Sequence, residues 1–517
     1  MIGKRPVQTS FNEIAQWSGG LPIVDGDSIY GHLAKWGERL IRDEDFESMY
    51  SGNGRPSISP ALLAKVLLLM YLEDVSDREA EQRARYDLRW KAALDLPLPE
   101  AGFDHTALCR FRARLVLNAK QRDVFDRFLS LAKEAGILKA GGLQVIDSTY
   151  IIGASAVQDT YELIRTAFRQ TVHHLSKLAN APRLNDAAGK YQDKPEIDWQ
   201  DTAKRGEYLQ ALVTDSQELI KRSQEMALSE QASEAVERLV RIIDQDIDSS
   251  SGLAEIRQGV AGDRIISTHD PAMRHGRKTR NLRFNGHKGQ VMIDESSEII
   301  TNVDVTPGNR PDDEAVKNML ETTPVKPAIL LGDTAYGTLA ARDEMKRHNI
   351  LPGAPLAHAA PASQRKSNRF TKGDFIIDMQ KKTCRCPAGQ ETSRLTISKK
   401  YSWFRFSTKV CNACPLRDQC TRHGKGKDID VHPQEARRQD ILAQVNTPEF
   451  KQLYRKRSKV ERVISTLVCY GVRQARYVGL KKTGLQLFFT AAVANLVKMF
   501  RHSNDFVVPL LMSSGQT

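Results

Sequence analysis

Three acidic residues stand where a cation-dependent phosphate chemistry would need them. Asp147 closes a short apolar run, Leu143-Gln144-Val145-Ile146, and Asp333 closes another, Ala328 to Gly332. Glu461 lies in a helical stretch crowded with arginine and lysine, from Tyr454 to Glu461. Apolar runs of this length read as buried strands. Carboxylates at strand tips can converge with one from a packed helix, however far apart they are in sequence. Three such groups repel one another when ionised. Divalent cations remove that penalty, so the cluster makes sense as a Mg²⁺ site set against a phosphate.

Glu461 shares a helix face with Tyr454 and Arg457, which precede it by seven and four residues. Leu453, Val460, Ile464 and Leu467 form a neighbouring apolar stripe that would pack this helix on a sheet. A surface Arg457–Glu461 pair is the plain alternative. With base before acid that order is the less stabilising one, worth ~0.2–0.5 kcal/mol at most.

A second constellation is cysteine-rich: Cys384 and Cys386, then Cys411 and Cys414, then Cys420. The Cys411-x-x-Cys414 pair suits a tetrahedral zinc knuckle. Cys420 would be a third ligand and Cys386 or Cys384 the fourth, with His423 and His432 as further candidates. The set carried forward is Cys386, Cys411, Cys414 and Cys420; reduced structural thiols are the alternative. Cys109 and Cys469 are expected on apolar helix faces, inside the core.

Basic residues crowd three places. Arg274, Arg277, Lys278, Arg280 and Arg283 share one stretch, and Arg365, Lys366, Arg369 and Lys372 another; Arg455, Lys456, Arg457, Lys459 and Arg462 surround Glu461. Charge runs are usually solvated faces. Near three carboxylates, a track for a phosphate backbone is the expected use. With roughly 6–10 phosphates contacted, affinity would fall ~10³–10⁵-fold between 50 and 200 mM salt. The net charge of +13 likewise favours a polyanionic partner.

The elements that must position these groups are legible in outline. At 517 residues the chain exceeds one ordinary core. Residues 1–136 read as an all-helical, DNA-binding domain. Ser59-Pro60 starts one helix, Ser76 to Glu79 fits a capping box for a second, and Asp104 caps a third. The second carries Arg78, Arg83, Arg85 and Arg89. On the third, Arg110 and Arg114 point away from Leu108, Phe111 and Leu115, as a groove-reading helix requires. Residues 154–261 read as a helical insertion with His173 and His174 on its surface. Strands are expected at Leu143–Ile152, Arg264–Ser267, Gly289–Ile293 and Ile299–Val305, and ahead of Asp333. The fold class expected is α/β (α+β): a mixed sheet flanked by helices, built from 137–153, 262–350 and 440–505. Residues 351–439 form a cysteine-bearing insertion that opens on a loop, and 506–517 a tail. Leu485 to Phe500 is apolar, but Asn495 and Lys498 interrupt it, so a buried helix is expected and no membrane span. No secretory leader is seen at the N-terminus. A cytoplasmic location, with reduced thiols, is the expectation.

Tyr454, Arg457 and Glu461 resemble the tyrosine–arginine–glutamate signature of bacterial insertion-sequence DDE transposases. That pattern has a lysine seven residues after the glutamate. Here the position is Val468, so Arg473 or Arg476 would take that role. The run from Gly471 to Leu480, and Ala494-Asn495-Leu496, also look like the family. Ile146-Asp147-Ser148-Thr149 resembles the family's first catalytic aspartate, and Leu331 to Gly337 its second. Asn285-Gly286-His287-Lys288 through Asn309 resembles the central hairpin and turn. Gly54-Arg55-Pro56 through Leu115 resembles the helical domain, and the branch with a cysteine-bearing insertion before the glutamate is the most similar.

The resemblance implies a ribonuclease-H-like core with Asp147, Asp333 and Glu461 holding two Mg²⁺ (or Mn²⁺) ions. It implies double-stranded DNA as partner: the element's inverted repeats and a target. Arg110, Arg114, Arg274, Arg277, Lys278, Arg280, Tyr454, Arg457, Arg473 and Arg476 are the expected DNA contacts. Water would cut the element ends and the freed 3′-hydroxyl would attack target DNA. A homodimer joining two ends is implied, on the bacterial nucleoid and without a nucleotide cofactor. An inactive, domesticated DNA-binding regulator and a purely hydrolytic nuclease of related fold are the alternatives.

Overall fold

The computed structural model describes residues 24–51, 53, 56–178, 189–279, 281–356, 369–397, 402–421 and 424–501. Gly54, Arg55, Arg280, Arg365, Lys366, His423 and the 506–517 tail lie outside the described residues.

Six α-helices open the described chain, from Ile29–Leu40 to Asp123–Glu134. Their starts follow side-chain chemistry. The Ser59, Ser76 and Asp104 side chains each accept a backbone N–H of the first turn. Only half of the expected capping box forms, because the Glu79 carboxylate turns to Arg83. Asp87 ends the Asp77–Tyr86 helix and caps the next, Leu88–Leu94, so Arg89 sits on that separate helix, paired to Asp87. The Pro60–Leu72 helix is buried all round, Lys65 included. It is a central core rod rather than an amphipathic surface helix.

The main sheet has six strands: β1 (Leu143–Ile152), β2 (Arg274–Arg277), β3 (Arg283–Asp294), β4 (Ile300–Pro307), β5 (Ile329–Leu331) and β6 (Leu351–Pro352). The order is β2-β3-β1-β5-β6, with β4 paired to β3. β1 runs antiparallel to β3, and β3 to β4, while β5 is parallel to β1 and β6 to β5. This is a ribonuclease-H-like mixed sheet flanked by helices. Leu351 and Pro352, expected in a loop, complete its far edge beside Ile329 and Leu330. Arg264 to Ser267, expected as a strand, has no ladder partner; Ile265, Ile266 and Ser267 are buried without regular secondary structure. Gly286 has φ +155°, and a Cβ there would lie 2.1 Å from the Ile151 carbonyl oxygen, so glycine lets β3 close onto β1.

Between β1 and β2 the described residues of the insertion include the helices Thr160–Leu175, Thr202–Ser223 and Glu230–Asp246, around a core of their own. The N-terminal helices, by contrast, share one apolar cluster with the sheet and the last two helices, Lys459–Cys469 and Leu480–Arg501. The latter is long and apolar enough to span a membrane, yet is mostly buried inside the fold. Asn495 interrupts its apolar run for a reason. Its amide accepts from the Ile300 N–H and donates to the Ile300 carbonyl, both at 2.8 Å, holding the sheet edge to the helix.

A cysteine-bearing lobe lies between β6 and the final helices. Among the described residues it has two three-stranded sheets and a small core of seven buried residues, with partly buried side chains such as Phe370 and Met379 packed on it.

Candidate active site

The two aspartates meet through strand register. Val145 of β1 pairs with Leu331 of β5, the last pair of that ladder. Asp147 and Asp333 each follow two residues later, Asp333 just past the carboxyl end of β5 and Asp147 where β5 parts from β1. That is where α/β sheets place ligand sites. Asp147 therefore does not end its strand. β1 continues to Ile152 against β3, and β5 leaves it just before Asp147. The Asp333 side chain accepts the Ala335 N–H at 2.8 Å and so starts the short Thr334–Tyr336 turn. The buried Tyr336 hydroxyl, at the end of that turn, donates to Gln290 at 2.5 Å.

Glu461 arrives on the Lys459–Cys469 helix, whose buried Val460, Val463, Ile464 and Leu467 pack it toward β1 and β3. Tyr454 ends a preceding helix, and a 3₁₀ turn, Arg455–Ser458, joins the two. The face expected of one continuous helix thus spans a tightened turn. Arg457 links the acids: its guanidinium donates to Asp147 Oδ2 at 3.2 Å and to the Glu461 carboxylate.

Asp147 is largely buried, and burial raises its carboxyl above the ordinary aspartate range. Lys278 and Arg457 oppose that rise and Asp333 adds to it. Tyr454 is likewise raised, first by burial, against Arg457, and with Asp333, Asp147 and Glu461 all acting on it. The five groups occupy one electrostatic neighbourhood. Lys278 belongs to it more closely than an outer DNA contact would, because its ammonium donates to the Ser148 carbonyl at 2.8 Å.

The donor set is all carboxylate oxygen, which suits Mg²⁺. The three acids are not drawn to ligation spacing by themselves. Among the described residues, the group of three with ligand atoms within 4.8 Å of one another is Glu81, Asp104 and His105. That group could hold a cation, but it sits at a helix start where Asp104 is already the cap and His105 bonds Glu81.

Other expected contacts divide sharply. Arg110, Arg114, Arg277 and Arg473 are exposed, Arg114 over Tyr50 and Arg473 over Tyr150. Arg274 is not a surface contact. Strand alternation turns it inward, where Asp263 and the carbonyls of Pro271 and Met273 hold it. Arg476 is also engaged, by Asp74, the Val75 carbonyl and the Tyr71 ring, and clamps the helical region to the core. Lys456 and Lys459 pair with Glu295, and Arg462 and Lys498 with Glu298. The basic cluster around Glu461 is therefore partly a fastening of its helix to the β3–β4 hairpin. Cys109 and Cys469, expected in the core, are exposed. Cys109 follows buried Leu108 by one residue, about 100° around the helix, and faces Asp77. No composition signal pointed to Glu295 or Glu298 as partners.

Residues 385–500 match the family described as "Transposase DDE domain", and residues 24–114 match "Transposase domain (DUF772)". The first match contains Glu461 and four of the lobe's five cysteines; Asp147 and Asp333 lie outside both matches. No curated protein matches the chain. The chain is thus similar to transposase-type domains over two stretches, one in its C-terminal part and one in its helical N-terminal part, each under half of its length.

Proposed function

We propose that the protein is a DNA transposase that binds the inverted repeats of its element, cuts at their ends and joins the freed 3′-hydroxyl to target DNA. The observation that carries this reading is the convergence of Asp147 and Asp333 by register, with Arg457 joining Asp147 to Glu461. Asp147, Asp333 and Glu461 would hold the divalent ions. Two bound Mg²⁺ ions would supply an activated oxygen nucleophile and charge stabilisation for the leaving oxygen.

The chain's own residues do the rest. Asp147 is fixed in the β1–β3 ladder, Asp333 by the turn that its own side chain caps just past β5, and Glu461 by a packed helix, so the acids are held on ordered elements. Arg457 reaches the site from the helix side and Lys278 from the hairpin side, giving two cations to receive a phosphate. In cleavage, a water oxygen bonds to phosphorus and the bond to the 3′-oxygen breaks, leaving a 3′-hydroxyl and a 5′-phosphate. In joining, that 3′-oxygen attacks a target phosphorus and displaces the target's own 3′-oxygen. One diester is exchanged for another, so no nucleotide is consumed. The reading carries with it a homodimer that holds two ends and a cytoplasmic site of action.

The test uses purified full-length protein, a supercoiled plasmid bearing the element ends, and Mg²⁺. Nicking or cutting at the ends, followed by joining of pre-cut ends to target DNA, is expected. Cutting without joining would leave a hydrolytic nuclease. Binding without cutting would leave a DNA-binding regulator.

A further inference from the structure

The cysteine lobe holds an arrangement that the DNA chemistry does not use. Four of its five cysteines, Cys386, Cys411, Cys414 and Cys420, line one small cavity of about 30 Å³. That is room for a single water-sized body. They arrive from separate turns. Cys386 follows the strand Thr383–Arg385 and closes a turn in which its N–H donates to Gln390 and its carbonyl accepts from Gly389. Gly389 adopts φ +78°, which that turn requires. Cys411 lies in the Thr408–Asn412 helix, and the Cys414 N–H folds back on the Cys411 carbonyl, so the pair forms a two-residue knuckle. Cys420 ends the four-residue helix Arg417–Cys420.

The structure also separates the fifth cysteine from the four. Cys384 has no exposed surface, belongs to the lobe's apolar core and does not line the cavity. His432 is exposed, and its Nδ1 already accepts the Gln434 N–H at 3.0 Å. His423 lies outside the described residues. The four sulfurs face the cavity without being drawn to ligation spacing by themselves, since the group of three with ligand atoms within 4.8 Å among the described residues is Glu81, Asp104 and His105.

We propose that Cys386, Cys411, Cys414 and Cys420 bind one tetrahedral Zn²⁺ ion that holds the lobe together. Four thiolates are a closed ligand set of the structural kind, with no open position for catalysis. The lobe has a motive for such a staple. Among the described residues its core is seven side chains shared by two small sheets that no ladder joins, and helices of five and four residues have little stability alone. Seating the ion requires the four sulfurs to close on it, which would tie the Cys386 turn to the knuckle and to Cys420. The lobe is in turn fastened to the helix leading to Glu461, through Lys372–Glu435 and through the Gln439 amide on the Ile377 carbonyl. This zinc is distinct from the carboxylate site, and the inference stands whether or not the transposase reading does.

The test is the metal content and thiol chemistry of purified full-length protein. About one zinc per chain is expected, with the four ligand thiols blocked to a thiol reagent until a chelator or mercurial releases the ion. Cys386→Ser and Cys411→Ser should each lose the zinc, while Cys384→Ala should keep it. Because a ligand variant could unfold the lobe, cobalt substitution of the unaltered protein gives a second reading. A sulfur-to-cobalt charge-transfer band with tetrahedral visible absorption supports the site. Metal-free protein with freely reactive thiols, a disulfide among the four found by mass spectrometry, or loss of zinc on Cys384→Ala but not on Cys386→Ser would each overturn it.

Discussion

The sheet-and-helix body and the cysteine lobe are held by different means. In the body, one apolar cluster runs from Leu33 to Phe500 and joins the N-terminal helices, the sheet and the last two helices. In the lobe, the described residues include seven buried side chains, most of them on the strands of two small sheets. A body of the first kind gains stability by removing apolar surface from water, about 25 cal/mol per Å². A lobe of the second kind has too little surface to remove and depends on cross-links. The contrast teaches where precision is needed. The three acids stand on elements anchored in the large core, and the lobe hangs between β6 and the helix that leads to Glu461.

The largest effect expected in the body leaves the lobe untouched. Asp147→Asn, Asp333→Asn or Glu461→Gln should each lower Mg²⁺-dependent cleavage by about 10³-fold or more, equal to several kcal/mol of transition-state stabilisation. End binding and zinc content should hold. Undiminished cleavage by any one variant removes that residue from the site.

DNA affinity should depend on salt less steeply than a census of basic residues suggests. Arg274, Arg476, Lys456, Lys459 and Arg462 are committed to acidic partners within the fold. If only about four or five phosphates are contacted, affinity falls ~10²–10³-fold between 50 and 200 mM salt. A drop near 10⁵-fold would mean that these pairs open on DNA.

Asn495→Leu probes the body alone. It orphans the Ile300 N–H and carbonyl, at about 1–3 kcal/mol for each buried group left unpaired. Denaturant unfolding should shift in midpoint, while hydrogen exchange in the lobe stays as it was. A shift confined to the lobe would break the contrast.

The smallest effect concerns pH. The Asp147 carboxyl is raised by burial, so the folded protein binds that proton more tightly than the unfolded chain. Its contribution to stability is present below the unfolded value, near about 3.9, and is lost as pH rises through the folded one. At neutral pH and without metal, Asp147→Asn should therefore melt slightly higher than the unaltered protein, with the gap closing toward pH 4. A variant that melts lower at neutral pH would show that the Arg457 contact outweighs the cost of burial.

Much of this was legible in residue type and spacing. Ser59, Ser76 and Asp104 declared their helices because a side-chain oxygen at a helix start has one obvious task. The apolar runs before Asp147 and Asp333 declared two strands. The Cys-x-x-Cys spacing singled out the lobe. What stayed hidden depended on partners remote in sequence. Arg476 finds Asp74 402 residues away, and Lys459 finds Glu295 164 residues away. Charge counting treats such groups as free. The two-residue offset that aligns Asp147 with Asp333 is a property of ladder register, which neither strand carries by itself. Cys109 was misplaced because a helix turns 100° per residue and one step separates core from solvent.

Manganese binding by metal-free protein, followed by calorimetry or electron spin resonance, tests the central claim most directly, because it needs neither DNA nor turnover. The unaltered protein should bind Mn²⁺, and Asp147→Asn, Asp333→Asn and Glu461→Gln should each weaken that binding, while an Asp104→Asn change at the helix-start cluster should not. Equal Mn²⁺ binding by all three variants, or its loss only on changing Asp104, would contradict a shared site for Asp147, Asp333 and Glu461.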